Sequence, residues 1–141
     1  MDRQTLRAGS VVSFEYDAPA SFDRPSTWRS ELCEVLVAFG GLERPDDVVV
    51  VAGELVSNGV EHGGGVERLH VSGSPDHVLV EVRDRRASMG APHPLAAHAD
   101  RGRGLEIVNR LADSWGWRPE PGEAAGKTVW ARFATAPEDG A

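Results

Sequence analysis

Alternating apolar and polar positions predict several β-strands along the chain. Residues 11–16 and 77–84 alternate and carry β-formers, and residues 66–72 read in the same way. Residues 73–76 between the second and third of these segments are rich in turn formers, so we expect a paired hairpin there. Residues 115–118 and 128–133 predict a second hairpin that closes the sheet.

Helical spacing of apolar positions predicts three helices. Residues 25–39 begin with a proline, repeat apolar side chains every three or four residues and are followed by two glycines. Residues 45–62 begin with proline and two aspartates, but Val48–Val51 also fits a buried strand. Their length and the three glycines that follow favour a helix. Residues 104–112 predict the third helix.

The order of these elements, β-α-α-β-β-loop-α-β-β, predicts an α+β fold. We expect a two-layer sandwich in which helices cover one face of a mostly antiparallel sheet. One domain over residues 10–134 is predicted, with flexible termini at 1–9 and 135–141. Residues 85–103 form the longest stretch without periodicity, which is typical of a functional lid or a disordered loop.

Composition excludes several classes of function. The net charge of −7 argues against nonspecific nucleic-acid binding, because an acidic surface repels phosphates. The chain contains no apolar run of about 18 residues, so the sequence predicts no membrane span. The N-terminal residues lack the apolar core of a signal peptide. Cys33 is the single cysteine and the spacing of the five histidines matches no zinc signature, so we expect a cytoplasmic protein without a transition-metal site.

Glu54 and Asn58 are the strongest candidates for chemistry. Four residues apart in the second predicted helix, they lie on one helical face, while Leu55 and Val56 can face the core. An Asn oxygen beside a carboxylate suits a hard cation such as Mg²⁺. The alternative is that this stripe is only the solvated face of an amphipathic helix.

Two further segments carry candidate ligand-binding residues. Gly102, Arg103 and Gly104 come directly before the third predicted helix, where free backbone amides favour an anion. Asp84 ends a strand at the entrance to the irregular segment and either starts a turn or accepts a hydrogen bond from an exocyclic amine such as that of adenine. Thr128, at the start of the last strand, would support that contact through its hydroxyl or a water.

The order of four motifs resembles a known superfamily. They are Glu54-x-x-x-Asn58 with His62, Val82-Arg83-Asp84 with Pro92, Gly102-Arg103-Gly104-Leu105 with Val108, and Gly126-Lys127-Thr128-Val129-Trp130. Together they are similar to the ATP-binding domains of the gyrase, chaperone and histidine-kinase superfamily. The resemblance is strongest to its small stand-alone branch, the anti-sigma-factor serine kinases, and spans residues 10–134.

The resemblance implies a role for each matching residue. Asn58 would bind the Mg²⁺ that bridges the ATP phosphates, and Glu54 would position or deprotonate the attacking hydroxyl. Asp84 would read the adenine amino group with support from Thr128. The segment Gly102-Arg103-Gly104-Leu105 would wrap the phosphates, with the glycines giving access and Arg103 adding charge.

The resemblance further implies a kinase that moves the γ-phosphoryl group of Mg-ATP to a serine of an antagonist protein and sequesters a sigma factor. A homodimer is also implied. Arg86 and Ser88 depart from the pattern, because they stand where the superfamily has glycines. Arg86 would either crowd the base or stack on it. These departures favour the alternative, a nucleotide-responsive protein-binding module without catalysis. A detached histidine-kinase catalytic domain is a third interpretation, but it would need a dimerising helical pair.

Overall fold

The computed structural model describes residues 3–8, 11–16, 25–39, 42–87, 99–120 and 125–135. These residues form six strands and three helices, which follow one another along the chain as β1 (Arg3–Ala8), β2 (Val11–Tyr16), α1 (Pro25–Phe39), α2 (Pro45–His62), β3 (Val66–Ser74), β4 (His77–Asp84), α3 (Ala99–Leu111), β5 (Ser114–Glu120) and β6 (Gly126–Ala134). The predicted α+β class is confirmed.

The strands form one antiparallel sheet in the order β1-β2-β3-β4-β6-β5. The turn at Pro75 and Asp76 joins β3 to β4, so these two strands pair along most of their length. β6 lies between β4 and β5. The last residues of β4 and the first residues of β6 therefore lie side by side.

The three helices cover one face of this sheet. α2 packs on β3, β4 and β6, and α1 and α3 flank it. Side chains from the two layers form a single apolar core in which Phe14, Trp28, Leu32, Leu55 and Phe133 are among the largest fully buried members. Alternation along β4 and β6 directs every second residue into this core.

α2 follows its predicted bounds, from Pro45 to His62, and the competing strand interpretation of its valine run is wrong. Asp46 and Asp47 lie in the first turn, where the helix dipole favours carboxylates. The valines are tolerated because the core side of the helix buries Val48 and Val51 completely. Tertiary burial outweighs the modest helix propensity of β-branched residues.

Two segments differ from the sequence-based expectation. Arg3–Ala8, predicted to be flexible, pairs with β2 as an edge strand. Backbone hydrogen bonds to a single neighbour hold this strand, so its sequence needs no strict apolar alternation. α3 begins at Ala99, five residues before its predicted start. The prediction missed residues 99–103 because they contain one apolar residue and show no helical period. Residues 88–98, most of the predicted lid, and the tail beyond Thr135 lie outside the described residues.

The sheet face opposite the helices is polar. It carries a network of ion pairs that joins acidic and basic side chains of β2, β3, β4 and β5. None of the helices that the structure describes combines the length and the apolar character needed to cross a membrane.

Candidate functional site

Glu54 and Asn58 lie on α2 as predicted, and both side chains are half-buried. The neighbouring Leu55 and Val56 are buried in the core. Neither Glu54 nor Asn58 has a side-chain hydrogen bond or ion pair with another described residue. A half-buried carboxylate and carboxamide normally bind a partner. Both side chains are therefore available to a ligand or to water, and the magnesium-site interpretation of this stripe stays a prediction.

Asp84 is brought next to this helix by the end of β4. Its side chain is buried, with a relative exposure of 2% for the residue. A Cβ atom on Gly63 would lie 2.5 Å from Asp84 Oδ2, and one on Gly59 would lie 3.5 Å from Asp84 Cβ. Glycine at position 63 is what allows the carboxylate to pack against the end of α2, whereas glycine at position 59 makes room for Val66, whose Cγ2 would lie 2.6 Å from a Cβ there. Gly59 directly follows Asn58, so the side of α2 that Asp84 contacts is rotated by about 100° from Asn58.

Both carboxylate oxygens of Asp84 accept hydrogen bonds. Lys127 Nζ donates to Oδ2 at 2.8 Å, and the backbone N–H of Arg86 donates to Oδ1 at 2.9 Å. The side chains of Lys127 and Asp84 are only 5% and 3% exposed. Burial raises the pKa of Asp84 above its ordinary value, and the bonds from Lys127 and Arg86 oppose that rise without cancelling it. The site thus contains a desolvated carboxylate that is paired with a buried ammonium group.

Lys127 is the residue that sequence reasoning missed. In the register of β4 and β6, Lys127 lies opposite Asp84, and Thr128 lies opposite Arg83. Directly opposite residues share a sheet face and successive residues alternate, so Thr128 projects to the polar face, away from Asp84. There it lines a groove with Arg83, Arg118 and other charged residues. Thr128 is therefore not on the sheet face of Asp84, and its support of an adenine contact stays a prediction.

The missed signal was present in the last strand. Val129, Ala131 and Phe133 are the apolar positions of β6 that alternate into the core, and counting back by two from Val129 reaches Lys127. Period-two alternation counted from these apolar positions places Lys127 on the core face and Thr128 on the other.

The side chain of Arg86 contacts the end of α2, and its expected effect on a bound base stays a prediction. Its guanidinium donates from Nη1 to the backbone carbonyl oxygen of His62 at 3.1 Å, at the C-terminal end of α2. A cation there complements the free carbonyls and the negative end of the helix dipole. Its side chain is exposed, and its backbone N–H is what contacts Asp84. Ser88, the other departure, lies outside the described residues.

The segment that was predicted to bind phosphates differs from expectation in its position. Gly102, Arg103 and Gly104 lie inside α3, within its first two turns, and not before the helix. Only the first four amides of a helix lack an internal partner, so here the free amides belong to residues 99–102. Of the two glycines, Gly102 alone offers a free N–H. The side chain of Leu105 is 4% exposed and belongs to the hydrophobic core, so it supports α3 from beneath.

Comparison with known proteins gives one result that bears on this site. The family model described as histidine kinase-like ATPase domain matches residues 18–133, which include α2, the end of β4, α3 and the start of β6. No curated protein matches the chain.

Proposed function

The chain belongs to the histidine kinase-like ATPase domain family, and on this premise we propose that it is an anti-sigma-type serine/threonine protein kinase that uses Mg-ATP. The observation that supports this proposal best is the half-buried pair of Glu54 and Asn58 on α2. This pair has no side-chain partner among the described residues, and the buried Asp84 packs against the same helix at Gly59 and against Gly63 at its end.

The donor set of the site fits a magnesium–nucleotide complex. Asn58 offers a neutral oxygen, and Mg²⁺ commonly takes one or two protein oxygens while phosphates and waters complete its shell. When bound, Mg²⁺ neutralises charge on the transferring phosphates. The free amides of residues 99–102 suit phosphate oxygens, since they lie at the positive end of the α3 dipole. Arg103, in the same turns, adds a positive charge to that end of the helix.

Glu54 is the proposed base. A serine hydroxyl oxygen of the substrate protein would bond to the γ-phosphorus, and the bond from that phosphorus to the β,γ-bridging oxygen would break. ADP would leave with the bond's electron pair, and the hydroxyl proton would pass to Glu54. Such transfer depends mainly on positioning and electrostatics, which a residue fixed on a packed helix can supply.

The protein partners follow from the resemblance of the motifs. We propose a sigma factor and its serine-bearing antagonist as partners, with a homodimer as the working assembly. The net charge of −7 is consistent with protein partners and not with direct binding to nucleic acid.

Titration calorimetry with Mg-ATP tests the nucleotide site. We expect wild type to bind with a Kd in the micromolar range, about −8 kcal/mol. Binding should require Mg²⁺ and should be lost in Asn58→Ala. Ser57→Ala is the matched control, because Ser57 is the exposed neighbour on the same helix. Equal affinities for wild type and Asn58→Ala would show that Asn58 holds no metal.

Phosphoryl transfer needs a separate assay. Radiolabelled ATP is incubated with the protein and a recombinant anti-sigma-factor antagonist, and label on the antagonist's serine is measured. Glu54→Ala should lower the rate by at least about a hundredfold, the range expected for a general base. Glu61→Ala removes the same charge from an exposed position on α2 and should leave the rate unchanged. Similar rates for both variants would refute the proposed base.

A second candidate function is a nucleotide-responsive binding module without turnover. The engagement of both Asp84 oxygens by Lys127 and Arg86 favours it, because nucleotide entry must then be coupled to a rearrangement at the ends of β4 and β6. Magnesium-dependent ATP binding without any transfer to the antagonist would select this alternative.

A further inference from the structure

Lys127 occupies an unusual position for a charged residue. It is the only lysine of the chain and lies on the core face of β6, directly opposite Asp84. The two side chains are almost fully buried, and 2.8 Å separates Lys127 Nζ from Asp84 Oδ2. Charged groups are rarely buried to this extent without a reason beyond packing, because their desolvation is costly.

The described residues around Asp84 engage both oxygens of its carboxylate. Oδ2 contacts the ammonium group of Lys127 and packs against Gly63, where a Cβ atom would already be too close. Oδ1 accepts the Arg86 backbone N–H. The exocyclic amine of a base needs a carboxylate oxygen within about 3 Å. With a residue exposure of 2%, Asp84 cannot offer one until a group already bound to it has moved.

Of the two groups bound to Asp84, Lys127 is the one that can leave. The Arg86 N–H belongs to the backbone and is fixed by the hydrogen bond of the next residue back, Arg85, to the Gly63 and Gly65 carbonyls. The ammonium group of Lys127 is carried on a flexible four-carbon stem and can rotate away.

We propose that Lys127 sets the base affinity and base preference of the nucleotide site by competing with an exocyclic amine for Asp84 Oδ2. This inference rests on the proposed nucleotide-binding function. Adenine binds only in the fraction of molecules in which Lys127 has left the carboxylate. Its apparent Kd is therefore the intrinsic Kd divided by that fraction. A base with a carbonyl oxygen at the same position, as in inosine, accepts a hydrogen bond from the ammonium group and does not compete with it.

The experiment compares three ligands by calorimetry in the presence of Mg²⁺: ATP, inosine triphosphate and inorganic tripolyphosphate, which has no base. Lys127→Thr and Lys127→Met remove the ammonium group, and Lys127→Arg is the charge-conserving control. We expect the Kd for ATP to fall at least about tenfold in the Thr and Met variants and to stay near the wild-type value in Lys127→Arg. The Kd for tripolyphosphate should not change, and the preference for ATP over inosine triphosphate should rise.

Thermal unfolding identifies the variants that fold, and either uncharged variant is sufficient for the test. Wild type supplies a measurement that needs no variant, since inosine triphosphate should bind it at least as tightly as ATP. A purely structural ion pair would change stability without changing base preference.

Different outcomes overturn different claims. If wild type binds ATP and the uncharged variants bind it equally or more weakly, Lys127 does not compete with the base, and the nucleotide site stands. A wild-type preference for ATP over inosine triphosphate of more than about tenfold would likewise show that Lys127 does not compete with the base. If neither wild type nor any folded variant binds any of the nucleotides, the nucleotide site and the role of Lys127 are both refuted.

Discussion

We predict that replacing Glu81 by glutamine destabilises the protein at neutral pH and does so much less in acid. Glu81 lies in the middle of the polar face of the sheet. Its Oε1 lies 3.2 Å from His70 Nδ1, and its Oε2 accepts a hydrogen bond from Arg118 Nη2 at 2.8 Å. The bond to His70, and after it the bond and charge of Arg118, lower the pKa of Glu81 to about 2 although partial burial opposes this.

The expected magnitude follows from that pKa. The difference between the ordinary value of 4.5 and about 2 is worth about 3 kcal/mol, at 1.36 kcal/mol per pKa unit. Arg118 is 49% exposed, so solvent screening reduces the expected effect to about 1–2 kcal/mol. Because the folded-state pKa is depressed, the stabilisation is complete above about pH 4.5 and is lost as the pH falls toward 2.

Urea unfolding at pH 7 and pH 3 tests this prediction. Glu81→Gln should lower the free energy of unfolding by about 1–2 kcal/mol at pH 7 and by less than half of that at pH 3. Glu15→Gln is the matched control on the same face. Its single ion pair with Arg68 spans 3.7 Å between exposed groups, and we expect an effect below about 1 kcal/mol. A loss for Glu81→Gln that is the same at both pH values would refute the electrostatic reasoning.

Three further predictions concern the site and its support. A Cβ atom on Gly126 would overlap the main-chain carbonyl oxygen of Asp84, which cannot rotate away. Gly126→Ala should therefore lower the free energy of unfolding in urea by about 2 kcal/mol or more. An unchanged stability would mean that the ends of β4 and β6 separate easily. Leu55→Ala empties a position that is 1% exposed beneath the Glu54–Asn58 stripe and should cost about 3 kcal/mol by the same measurement, whereas a loss below about 1 kcal/mol would contradict the tight packing of α2. Thr128→Val should leave the Kd for Mg-ATP within about twofold, because Thr128 projects to the polar face, and a larger loss measured by calorimetry would restore its predicted role at the base.

Most of the fold could be predicted from local patterns. The bounds of β2, α1, α2 and β4 match the prediction because each segment carries both an apolar period and a terminal signal such as proline or glycine. β1 escaped prediction because an edge strand held by backbone bonds needs no such period. The early start of α3 was also not predicted, because its first turns contain glycines and charged residues and no apolar period.

The candidate site was predicted less completely than the fold. Glu54 and Asn58 could be paired from sequence because both lie on one helix, whose period fixes their relative direction. For Asp84 the sequence left two roles open, a ligand contact and the start of a turn, since a carboxylate at a strand end is also common in turns. The placement of Arg86 at the end of α2 required the structure, because it depends on a contact between two segments that are distant along the chain.

The sequence by itself determined the class of the fold, the order of its elements from β2 onward and the helix that carries Glu54 and Asn58, because apolar periodicity is a property of each segment alone. Only the tertiary structure decided which residues meet at Asp84. The cross-strand register of β4 and β6 brings Lys127 to the carboxylate and directs Thr128 to the opposite face. A register joins two strands that are distant in sequence, and a shift of one residue exchanges the two sheet faces. The alternation of β6 alone places Lys127 on the core face, but its pairing with Asp84 depends on the register and was therefore decided only in the folded chain.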